Sequence, residues 1–191
     1  MEYADLMNQM AEHWNMSPAQ LENVMGDISY HESKNDATIH QTSGGPGRGP
    51  FQFEIGNEQG GATASNRLIN YLKKQKTDIP DWLQTHIDSS GKVKSIDAST
   101  LTPEQQKMLF LGNYRMHPEA SLSGINDDNV HEFWGKYHWA GAAPGTPEYH
   151  EKIQSFNDSQ NHNSIMNSPS LEEAAFRTGG QGGIDAPKSI F

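Results

Sequence analysis

Apolar side chains recur at helical spacing from the start of the chain. Tyr3, Leu6, Met7, Met10 and Trp14 share one face, which predicts a helix over residues 1–15 packed on a core or on a neighbouring subunit. Ser17-Pro18 supplies an N-cap and a first-turn proline, and Leu21, Val24, Met25 and Ile28 then make the apolar face of a second helix. A third helix is predicted over Gly60–Thr77, with Ala64, Leu68, Ile69 and Leu72 inward and Lys73, Lys74 and Lys76 near its C-terminal end, where the helix dipole favours cations. Pro80–Leu83 begins a short helical piece. Thr102-Pro103-Glu104-Gln105 reads as a capping box before a helix carrying Met108, Leu109, Leu111 and Tyr114. Asn126–Asp128 can cap a helix bearing Val130, Phe133, Trp134, Tyr137 and His138, and Thr146-Pro147 opens another with Tyr149, Ile153 and Phe156 on one face.

The intervening stretches are polar. Residues 33–50 read as a loop, with a short β-hairpin predicted between Thr38–Thr42 and Phe51–Phe53. Ser89–Ser99 reads as a surface loop in which Val93 and Ile96 carry little signal. Trp139–Gly145 is a small-residue loop that begins on an aromatic, a residue type suited to stacking on a sugar. Residues 157–168 read as linker, Ser168-Pro169 caps a short helix to about Arg177, and Gly179–Phe191 is a glycine-rich tail of a composition that does not order by itself. The fold class is therefore mainly α, with a small loop or β-hairpin.

Composition narrows the function. At 191 residues the chain can bury a core, yet its hydrophobic content of 34% and mean hydropathy of −0.79 are low, which leaves surface for a partner. A net charge of −10 without clustered Lys or Arg argues against nucleic acid and against electrostatic capture by an anionic membrane or wall. With no cysteine there are no disulfides or thiolate metal sites. The N-terminal residues contain no secretory-signal pattern, and no apolar run approaches the ~18 residues of a membrane span. His131 and His138 could share a helix face, but no third ligand falls at metal spacing, so no metal and no cofactor is expected. Nucleophilic-serine, P-loop and dinucleotide motifs are absent.

Candidate chemistry begins at Tyr30-His31-Glu32-Ser33. Glu32 follows Ile28 by one helical turn, at the rim of the apolar face, where a carboxyl is partly removed from water, a setting suited to a general acid. Gly47-Arg48-Gly49-Pro50-Phe51-Gln52-Phe53 follows, a glycine-rich turn whose backbone can approach a ligand closely, with Gln52 alternating against Phe51 and Phe53. Glu-Ser followed by Gly-x-Phe-Gln resembles the active-site signature of the soluble lytic transglycosylases and goose-type lysozymes. Asn113-Tyr114, in a later helix, is similar to that family's Ala-Tyr-Asn motif in reversed order.

The resemblance implies a lysozyme-like α-helical domain over residues 15–157, an N-terminal helical extension over 1–14 and an attachment segment over 158–191. It implies Glu32 as the catalytic acid on the bond between N-acetylmuramic acid and N-acetylglucosamine, with Ser33, Phe51, Gln52, Asn113 and Tyr114 binding substrate and Tyr114 orienting Glu32. A transglycosylase needs one carboxylate; a hydrolase needs a second, for which Asp36 and Glu54 are the nearest candidates. The missing signal and cysteines and the polar extensions suggest a bacteriophage virion component, homo-oligomeric within the particle and bound to other tail or ejection proteins, that opens the wall from the periplasmic side during genome delivery. Two alternatives stay open: a structural tail or ejection protein with little activity, and a glycan-binding module without chemistry.

Overall fold

A computed structural model of the protein describes residues 1–41, 44–55, 61–139 and 141–167. The helices are α1 (Tyr3–Trp14), α2 (Pro18–Ser33), α3 (Gly61–Lys74), α4 (Asp81–Gln84), α5 (Pro103–Arg115), α6 (Val130–Phe133) and α7 (Pro147–Asn167). A 3-10 turn covers Ala98–Thr100, and a π-helical segment, Trp134–Trp139, continues α6. The architecture is mainly α, as the periodicity predicts. No helix among the described residues is long and apolar enough to cross a membrane.

Local chemistry sets the helix starts. Ser17 and Gln20 form a reciprocal capping box on α2, and Thr102 and Gln105 do the same on α5, each followed by proline at the first helical position. At their other ends α1 and α2 stop where Asn15 and Lys34 turn left-handed.

Packing then orders the helices. α5 lies between α3 and α1, while α2 touches α1 on one side and α7 on the other. Residues 1–14 are built into this arrangement, because Leu6, Met10 and Trp14 are buried in the same core as Leu21, Ile28, Leu68 and Phe110. α3 and α5 approach closely at Gly112, where an added Cβ would lie 2.6 Å from Leu68 Cβ and 2.8 Å from its Cα.

Three loop expectations need correction. The two-stranded sheet pairs Gly47–Arg48 with Phe53–Glu54, and His40 only bridges to Arg48. Phe51 belongs to the turn, because Gly49 (φ +69°) and Gln52 (φ +46°) reverse the chain and Gln52 N–H donates to Gly49 C=O at 3.1 Å. Val93 and Ile96 are core residues, and the Asn66 side chain from α3 bonds both the N–H and C=O of Val93. Residues 157–167, expected as linker, continue α7. The helix expected after Ser168 and the glycine-rich tail lie outside the described residues.

Gln106 fixes the glycine-rich turn to α5. It is fully buried, and its amide donates to the carbonyls of Ala37 (3.0 Å) and Leu101 (2.9 Å). A Cβ on Gly49 would meet its Oε1 at 2.0 Å, so this position excludes side chains by both space and backbone angle.

Two glycine substitutions should separate packing from propensity. Gly112→Ala is expected to destabilise by about 2–3 kcal/mol, the overpacking cost exceeding the ~1 kcal/mol that alanine gains in a helix. Gly26→Ala in α2, where nothing lies within 4 Å of an added Cβ, is expected to stabilise by roughly 0.5–1 kcal/mol. Urea denaturation of both variants checks the pair.

Candidate active site

Glu32 stands in the last turn of α2, its side chain 16% exposed. The indole N–H of Trp134 donates to its Oε1 at 2.6 Å, a short bond of the charge-assisted kind. No other hydrogen bond reaches this carboxyl among the described residues, which leaves Oε2 to the cleft. Trp134 is itself fixed by ring contacts with His31 (4.5 Å, edge-on), Phe156 (5.1 Å) and Trp139 (5.8 Å, stacked). It is therefore both a core residue and the anchor of Glu32.

The π-helical segment makes this arrangement possible. Such segments insert an extra residue into a helical turn and change which side chains share a face. Gly135 lets the segment sit against α7, since a Cβ there would meet Ile153 Cδ1 at 2.7 Å and the Tyr149 ring at 3.0 Å. One turn after Trp134, His138 also comes to Glu32, with 3.9 Å between Nε2 and Oε1.

Burial favours the neutral form of His138 over an ion pair with Glu32. Nε2 lies 2.9 Å from the carbonyl of Phe51, which can only accept, so Nε2 carries the proton. Nδ1 then accepts from the Tyr114 hydroxyl at 2.7 Å. Burial pulls the imidazole pKa below its ordinary value, against the opposing pull of Glu32 and the Phe51 carbonyl. Burial likewise raises the Tyr114 phenol, with the Glu32 charge adding to it.

Five of the six expected site residues line one cleft of about 720 Å³: Glu32, Phe51, Gln52, Asn113 and Tyr114. Ser33 does not. It is buried, and its hydroxyl donates to the Ser29 carbonyl within α2 at 2.8 Å. Tyr114 reaches His138 rather than Glu32, so its expected role in orienting the carboxyl passes to Trp134. Phe51 is 2% exposed and packs on Phe110 with ring centroids 4.7 Å apart, and Gln52 Nε2 donates to Gly49 C=O at 2.8 Å. Of the two further carboxylates, Glu54 lines the cleft, whereas Asp36 is exposed and held by Thr38. A second hollow of about 560 Å³, walled partly by Gln9, His13 and Tyr71, contains none of the motif residues.

The cleft also holds residues that the motifs did not name. Arg67 on α3 donates from Nη1 to Asn113 Oδ1 at 2.6 Å. His117, Tyr137 and Trp139 complete the far wall. A polar pair at Asn66-Arg67, beside the buried stripe of Ala64, Leu68 and Ile69, was the available signal for Arg67. No group of metal-ligating side chains occurs among the described residues.

His31, next to Glu32 in sequence, faces the opposite way. Its Nδ1 is 2.9 Å from Ser159 Oγ, whose own proton goes to Phe156 C=O, so here Nδ1 carries the ring proton. Burial, then Lys34 and Lys152, lowers its pKa to about 4. A histidine pKa depressed by folding contributes stability that is complete above pH ~6.5 and is lost as pH falls toward 4. Allowing for its partial exposure, His31 should account for about 2 kcal/mol of that loss, with buried His138 adding to it in the same direction. Denaturation curves between pH 7 and 4 check the loss, which should shrink in His31→Gln. Nitrogen-15 NMR should find opposite neutral tautomers, Nδ1–H for His31 and Nε2–H for His138.

Comparison of the chain with family models, with curated proteins and with solved structures finds no match.

Proposed function

We propose that the protein cleaves the glycan strands of peptidoglycan at the bond from N-acetylmuramic acid to N-acetylglucosamine, with Glu32 as the single catalytic carboxyl on a lysozyme-like helical scaffold. The observation that carries this reading is the carboxyl itself: one oxygen is fixed by Trp134, the other is left to a polar cleft, and the turn and helix residues of the sequence motifs line the same cleft. A carboxyl with one oxygen anchored presents the other to a ligand along a defined direction.

In the proposed reaction Glu32 protonates the glycosidic oxygen as the C1–O bond breaks, and positive charge develops on the muramic acid ring. The resulting carboxylate then takes the proton from that sugar's C6 hydroxyl as its oxygen attacks C1. The product is a 1,6-anhydro end, and no water is consumed. His138, neutral and tied to Tyr114 and Phe51, sets the wall beside Glu32 without adding charge. The proposed chemistry calls on no cofactor. If water were the nucleophile, Glu54 rather than Asp36 would be placed to activate it.

The acidic chain suits delivery to an anionic wall as part of a larger assembly better than capture by charge. We therefore place its action within a bacteriophage virion, alongside other tail or ejection proteins, at the host wall.

Incubation of wild type and Glu32→Gln with sacculi, followed by mass spectrometry of released muropeptides, tests the reaction. Wild type should release 1,6-anhydro products, Glu32→Gln should fall by at least 10³-fold, and Glu54→Gln should stay within about tenfold of wild type. Reducing ends lost in Glu54→Gln would mean hydrolysis. Release unaffected by Glu32→Gln would overturn the assignment.

A further inference from the structure

Arg67 is the one permanent cation among the described residues of the cleft, in a chain of net charge −10. Among the described residues it makes no ion pair, and its one hydrogen bond runs to the neutral amide oxygen of Asn113. Withdrawing a guanidinium partly from water beside a neutral acceptor leaves most of its five donors unused.

Two neighbouring groups are poised in the same sense. With Oδ1 committed to Arg67, Asn113 has its amide N–H groups left for a ligand. His117 Nδ1 accepts the backbone N–H groups of Glu119 (3.1 Å) and Ala120 (3.0 Å), which puts the ring proton on Nε2 as a further donor. Burial and the adjacent Arg67 charge lower the pKa of that ring, against the opposing pull of Glu119. Arg67, Asn113 and His117 thus form a corner rich in donors, in which Arg67 is paired with no carboxylate among the described residues.

We propose that this corner binds a carboxylate of the substrate, so that the site selects anionic muramic-acid-containing strands over neutral glycans built on N-acetylglucosamine alone. The inference rests on the glycan-cleaving reading. Two sources share the chemistry: the lactyl carboxylate of a muramic acid stripped of its peptide, and a free carboxylate of the peptide stem where the lactyl group is amide-linked.

The test measures binding by calorimetry in the Glu32→Gln background, which prevents turnover. The probes are chitohexaose, a peptide-free glucosamine–muramic acid oligomer and the same oligomer bearing stem peptides. Arg67→Gln should weaken the anionic probes by about ten- to hundredfold, the value of a charge-assisted bond, and leave chitohexaose within twofold. Retained chitohexaose binding also certifies the fold, and Arg67→Lys should keep part of the preference. Loss confined to the peptide-free oligomer assigns the lactyl carboxylate, and loss confined to the peptide-bearing one assigns the stem. Equal effects on all probes, or none, would overturn the proposal while leaving the cleavage reading intact. Absence of binding by every glycan would remove both.

Discussion

The walls of the cleft are joined by one short chain of hydrogen bonds. The Tyr114 hydroxyl on α5 donates to His138 in the π-helical segment, and His138 donates onward to the carbonyl of Phe51 in the glycine-rich turn. Three parts of the chain with no sequence proximity are thereby fixed against one another by two bonds of 2.7 and 2.9 Å. With the imidazole neutral, Nδ1 accepts from Tyr114 and Nε2 donates to Phe51, while the Tyr114 hydroxyl also lies 3.4 Å from the Tyr137 carbonyl. Burial supplies that condition, and an apolar surround of Phe53, Phe110 and Phe133 supports it.

Around this chain many buried polar groups are committed, although Arg48 Nε, Asp88 Oδ2 and Gln106 Oε1 find no hydrogen-bond partner among the described residues. Gln106 holds the loop carbonyls, Asn66 holds the backbone at Val93, and Ser33 and Ser65 return their hydroxyls to their own helices. An unpaired buried polar group costs about 1–3 kcal/mol, so satisfaction is the expected condition of such an interior. Among the described residues, the cleft also presents polar groups with no protein partner: the second oxygen of Glu32 and donors of Arg67 and His117.

The helices were legible in the sequence because their causes are local. The Ser17 and Thr102 caps, the first-turn prolines and the stripes from Leu6 to Phe156 are read within a few residues of where they act. The loops were less so. Val93 and Ile96 are core because α3 reaches across, Asn66 bonding the backbone of Val93 and Gly61 lying against Ile96, and the register of the small sheet follows from left-handed angles at Gly49 and Gln52.

For the site, sequence by itself determined that a carboxyl stands at the edge of the apolar face of α2 and that Phe51, Gln52, Asn113 and Tyr114 belong to segments able to meet it. Tertiary structure alone decided which groups touch it. Trp134 lies 102 positions from Glu32, and nothing short-range distinguishes an indole that fills the core from one that also anchors a carboxyl. Arg67 likewise reads as an ordinary helix cation until α5 sets Asn113 against it, with no carboxylate among the described residues pairing with it. Periodicity and capping are properties of a segment. Hydrogen-bond partnership and desolvation are properties of the packed interior, and they come into being only when distant segments share it.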